Sequence, residues 1–299
     1  MSARQKKRRP FKKRRTSTKK SPGAAKNAIG SATINETGSP RDWYPFRQLR
    51  NTENQRRREI EVIFRDEFAF IDDCLALAAR QVELLGGERP VGIRDVAMRD
   101  LSCDAFEFLY EARNVIAENR SSIAFPAMRR AFESISLCHL FTVKPEYSER
   151  WAKGIMLSSA EVRKQLENAP LTESVDQLRS LYKHFSQGTH PNRSHIPFLF
   201  LGEGNKFTLG AIHPVDPLNL GGHILHLMSL CYWYAGIFLY FYGQSIVPKL
   251  SAKFKRAVLD LTPRSDELQR NLRKALDELR KNKEERPPGI GPTYLEQSN

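Results

Sequence analysis

The chain has 299 residues, a formal net charge of +14, four cysteines and seven histidines. No CxxC pair occurs among Cys74, Cys103, Cys138 and Cys231, which excludes the usual zinc-ribbon and dithiol redox arrangements. The first residues carry no apolar leader, so export is not expected; a cytoplasmic protein with buried, reduced thiols is.

The charge is unevenly placed. Residues 1–26 hold twelve Lys and Arg and no Asp or Glu, leaving about +2 for the rest of the chain. A segment so poor in apolar groups cannot offset its ordering entropy, so residues 1–40 read as a disordered basic tail. Trp43, Tyr44, Pro45 and Phe46 read as the stub where the chain meets its folded body.

Between Arg56 and Leu85 apolar residues recur every three or four positions, predicting one amphipathic helix stopped by Gly86, Gly87 and Pro90. A second helix is predicted over 94–118. A third begins at a Ser121 or Ser122 cap, takes Pro126 in its first turn and runs to Phe141. Pro145 opens a fourth helical region, to Glu167, with Trp151, Ile155, Val162 and Leu166 inward. A fifth helix is predicted over 172–187, stopped by Gly188. Residues 196–212, with apolar runs flanking Gly202-Glu203-Gly204-Asn205, predict a small β-hairpin.

Ile224–Val247 contains no Asp, Glu, Lys or Arg and is long enough to span a bilayer. His223 and His226 sit at its start and Ser229, Gln244 and Ser245 interrupt it, so a helix buried on all sides is favoured, with a membrane span as the alternative. A short helix over 250–261 and a charged one over 265–285 complete the prediction. The expected architecture is all-α: an antiparallel helical bundle over 41–285 with one β-hairpin insertion, and a disordered C-terminus over 286–299.

The most informative polar pattern is split between the third and fifth helices. Arg129 and Glu133 are four apart and share a helix face. Tyr182, Ser186 and His190 are also spaced by four, and would share a face if the fifth helix ran on past Gly188. If the two helices pack, a cation, a carboxylate, a phenol, a hydroxyl and an imidazole converge. His190 could then act as a base and Arg129 hold a phosphate or carboxylate. The competing reading is a buried polar network that fixes helix register.

Two resemblances attach to these residues. Arg179 and His184 form an R-x4-H spacing that resembles the motif of the HEPN superfamily, whose helical domains often act as metal-independent ribonucleases. On an unbroken helix this pair points about 140° apart, so it would meet one substrate only if the helix were distorted or a second copy of the chain closed the cleft. Over residues 100–240, the run from Ala127 to Glu133, then Trp151-Ala152, then Tyr182 through Ser186 to His190-Pro191 is similar to uncharacterised bacterial all-helical proteins. Those carry an R-x-x-x-E helix followed by a Tyr…Ser…His-Pro segment. That resemblance implies a helical fold with Arg129, Glu133, Tyr182, Ser186 and His190 as its site, and implies no activity.

The tail suits polyanions: nucleic acid, RNA or DNA, first, and an anionic membrane surface second. The function expected is a nucleic-acid-associated, non-catalytic helical module; the alternative is an HEPN-like metal-independent ribonuclease. No cofactor or metal is expected. His190, His195, His213 and Asp216 fit no ligand spacing. His223 and His226 read as a polar start to a buried helix.

Overall fold

The structure, a computed structural model, describes residues 46–87, 92–171, 174–189, 215–245 and 252–284. The basic tail, the predicted hairpin at 196–212, His190 and the C-terminus lie outside the described residues. What is described belongs to one compact unit, Phe46–Asn299.

The described residues form nine α-helices and no strand. They are α1 (Phe46–Ile63), α2 (Arg65–Gly87), α3 (Ile93–Ala117), α4 (Ser121–Val143), α5 (Glu146–Ala152), α6 (Ser159–Gln165), α7 (Val175–Thr189), α8 (Pro217–Ser245) and α9 (Ala252–Glu284). The all-α expectation therefore holds over the described residues.

The tightest pair is α3 against α4. Three residues join them, so the helices turn back on each other as a hairpin. Asn119 makes the turn at φ 60, a left-handed conformation that Asn tolerates better than most residues. Its amide donates to the Ile116 carbonyl at 3.0 Å, and that of Arg120 to the Val115 carbonyl at 2.8 Å. Both bonds satisfy carbonyls that the helix end would leave open.

The long apolar helix α8 is the central packing element and touches α2, α3, α4 and α9. By length and composition it is the one described helix that could cross a membrane. Here Ile224, Leu227, Met228, Cys231, Tyr234, Phe238 and Phe241 are buried against the surrounding helices. Tyr234 donates its phenol to the Ser102 carbonyl of α3 at 2.9 Å, so its polar end is satisfied in the core.

Several boundaries differ from the sequence expectations. The first predicted helix is two, α1 and α2, parted at Phe64. The backbone bonds continue through the break, from Phe64 to Ile60 and from Phe68 to Phe64, each 3.0 Å. Asp66 and Glu67 sit in the first turn of α2, where carboxylates favour a helix start. Ser121 does not cap α4: Arg120 is the cap residue without a side-chain bond, and the Ser121 hydroxyl faces His223 Nδ1 at 3.3 Å. Pro126 stands beyond the first turn of α4 rather than within it.

The fourth region is interrupted at residues 153–158, and Gly154 there takes φ +74. Its second half does start as helices should, with Ser158 Oγ accepting from the Glu161 amide at 3.1 Å. Gly188 does not stop α7, which runs to Thr189. A Cβ there would lie 2.3 Å from the Phe125 ring, so Gly188 is the notch that lets α4 pack on α7. The two predicted C-terminal helices are one, α9, continuous through Pro263. Cys74, Cys138 and Cys231 are buried as expected, but Cys103 is exposed.

Candidate functional site

The packing of α4 on α7 brings the split polar pattern together. Arg129 Nε donates to Glu133 Oε1 at 3.2 Å along α4. Its Nη2 reaches across and donates to the Tyr182 hydroxyl at 3.1 Å. These three side chains line an open cleft of about 530 Å³. Its other walls come from α6, from Leu101 of α3 and Trp151 of α5, and from the 153–158 segment, which carries Ile155, Met156, Leu157 and Ser158.

Tyr182 sits among cations. The Arg163 guanidinium lies 4.4 Å from the centre of its ring and the Arg129 guanidinium 5.3 Å, the contact expected between a cation and an aromatic face. Burial opposes ionisation of the phenol, but its bond with Ser159, the Arg129 charge and the nearby Ser186 hydroxyl outweigh that. Together they hold Tyr182 below the usual tyrosine range.

Three arginines line the cleft, and two are matched by carboxylates. Arg129 pairs with Glu133. Arg130 pairs with Asp104 at 3.0 Å, and Asp104 also accepts from Ser134. Arg163 has no carboxylate in reach among the described residues, and its Nη1 is buried without a hydrogen-bond acceptor there. Burial, and the like charge of Arg179, push its pKa down.

The other predicted residues fall elsewhere. Ser186 lies one turn beyond Tyr182 with its hydroxyl buried; it is close enough to favour the ionised phenol, but makes no bond of full geometry and does not line the cleft. His190 lies outside the described residues. Arg179 is exposed, pairs with Asp176 at 2.7 Å and lines a second open cleft of about 490 Å³ that shares Arg163 with the first. His184 points the other way, into a cluster with Phe125 at 5.3 Å and His226 at 4.7 Å between ring centres. The R-x4-H pair therefore shares no cleft in one copy of the chain, as the helical spacing required.

Sequence reasoning missed Arg163 and Ser159. Both stand on α6, whose contact with α7 is tertiary, so no spacing in the chain links them to Tyr182. Arg163 follows the inward Val162, and that adjacency was its sole trace. Among the described residues, no group of three or more His, Cys, Asp or Glu is arranged to hold a metal ion.

Fold and cleft together define a class: an all-α bundle carrying an open, arginine-lined cleft of small-molecule size. Compared with known proteins, the chain matches no family model, no curated protein and no solved structure.

Proposed function

We propose that the protein is a nucleic-acid-associated helical module, tethered to RNA or DNA through residues 1–26. The observation that carries this reading is the charge partition: twelve of the +14 charges lie in those 26 residues, without a single carboxylate. Such a segment binds phosphates through counterion release, with little sequence choice. Deleting residues 1–26 is expected to abolish salt-sensitive binding of RNA and DNA in a filter-binding or anisotropy assay. Undiminished affinity in the truncated protein would refute the tether. Binding to anionic vesicles but to neither nucleic acid would move the partner to a membrane surface.

A second reading, an HEPN-like metal-independent ribonuclease, draws support from Arg129, Glu133 and Tyr182 meeting in one open cleft. Arg129 would stand beside a scissile phosphate, and Tyr182 or His190 would handle the proton of the attacking 2′-hydroxyl. Purified protein should then cut RNA in the presence of a chelator, and Arg129→Ala should slow cleavage by about a hundredfold or more. Intact RNA at high protein concentration eliminates this reading and leaves the module.

A further inference from the structure

The cleft lining is of two kinds. One is polar and cationic: Arg163, Arg129, the Tyr182 phenol and Ser159. The other is apolar: Trp151, Ile155, Met156 and Leu157. Met156 is 88% exposed and Ile155 44% exposed, on the 153–158 segment. An apolar wall at an open mouth leaves hydrophobic surface in water that a ligand could cover.

Arg163 is the group that asks for a partner. A guanidinium keeps its charge in a protein and offers five N–H donors in a planar fork. Here one nitrogen is buried without an acceptor, and another arginine, Arg179, lies near enough to repel it. The neighbouring donors converge with it: the Tyr182 hydroxyl and Ser159 belong to the same cleft. Glu133 neutralises Arg129 rather than Arg163. An anion with several oxygens would satisfy the fork and the hydroxyls at once, which favours a phosphate over a single-point acceptor. At about 530 Å³ the cleft matches small-molecule sites and is too small for a folded partner.

We infer that this cleft binds a phosphate monoester carrying a flat ring, a nucleoside 5′-monophosphate or the 5′-phosphorylated end of a single strand. Arg163 anchors the phosphate, and Trp151 with Met156 covers the ring. Binding here needs neither the tail nor any cleavage, so it is separable from both readings above.

The test uses the full chain and a second full-length protein in which the twelve tail cations are glutamine. Both are titrated by calorimetry with AMP, adenosine, ribose 5-phosphate and a 5′-phosphorylated trinucleotide. High salt, at which the screening length falls toward about 3 Å, suppresses the tail. AMP should bind saturably and equally in both proteins, about tenfold or more tighter than adenosine or ribose 5-phosphate. Equal affinity for AMP and the trinucleotide assigns a free nucleotide. Tighter trinucleotide binding that disappears with its 5′ phosphate assigns a strand end.

Arg163→Gln should weaken AMP about tenfold or more while melting near the wild-type temperature, because the half-buried cation it removes has a buried Nη1 without an acceptor to set against its contact with the Tyr182 ring. A merely structural arginine would give the opposite pattern. Should that variant fail to fold, Arg163→Lys keeps the charge without the fork and should bind AMP several-fold more weakly than wild type. No saturable binding at millimolar AMP, wild-type affinity in a folded Arg163 variant, loss of binding with the tail cations, or ribose 5-phosphate binding as tightly as AMP would each overturn the assignment.

Discussion

His223 and His226 were legible in the sequence only as a polar start to an apolar helix, and the structure gives them a sharper role. They share one cluster with His184, and Phe125 packs edge-on to His223 at 4.7 Å between ring centres. Burial, the neighbouring His184 and the other imidazole hold His223 down to about 3. Burial, His184 and Arg273 hold His226 down to about 4. Burial likewise holds His139 down to about 4. All three are neutral in the folded protein at neutral pH, while in the unfolded chain they protonate near 6.5. The unfolded state therefore binds more protons once pH falls below about 6.5. Stability contributed by these groups is complete above that value and is lost as pH drops toward 4. Each can contribute up to about 1.4 kcal/mol per pH unit. Urea unfolding at pH 7 and pH 5 should show a clear loss at pH 5, reduced in His223→Gln. Equal stability at the two values would mean that water reaches these rings.

Among the helices, the sequence predicted most of the elements but misjudged several of their ends. Periodicity placed α3 and α4 within a residue or two: α3 buries one face along most of its length, and α4 buries one face at its start and nearly every side from Ser134 to Thr142. It failed at Pro263, where a residue that usually ends a helix sits inside one. Gly188 is retained for the close approach of Phe125, a contact with a residue 63 positions earlier that no local window contains. Gly188→Ala should therefore destabilise the protein by about 1–3 kcal/mol through overpacking, only partly offset by alanine's helix preference of about 1 kcal/mol. A raised melting temperature would show that the notch is not needed. Pro263 survives because Phe254, Val258, Leu261, Leu272 and Leu276 are buried on one side of α9, which packs against α8 and α2. Exposed itself, Pro263 contributes a missing backbone bond to the helix. Pro263→Ala is expected to raise stability by about 1–3 kcal/mol, measured by thermal melting.

At the scale of the whole molecule, charge and packing are separate designs. The near-neutral remainder of the chain and the twelve-cation tail imply that a single strand can gain at most twelve phosphate contacts from the tail. The slope of log affinity against log salt should then not exceed about −8 for single strands or about −11 for duplex. A steeper slope measured on the full chain would mean that the body contributes cations of its own. Composition alone determined this division, and periodicity alone determined that the body is helical, because both depend on residues counted along the chain. The pairing of Arg129, Glu133 and Tyr182 was readable once α4 was taken to pack on α7, since two i, i+4 spacings each marked a face. Arg163 and Ser159 became part of the cleft only through the contacts of α6 with α4 and α7, and Arg179 and His184 were separated only by the faces they occupy. Those outcomes rest on which helix lies beside which. That is decided by the shape of buried side chains such as Phe125, Phe132 and Phe185 meeting across the core, and a linear pattern of apolar positions does not encode it.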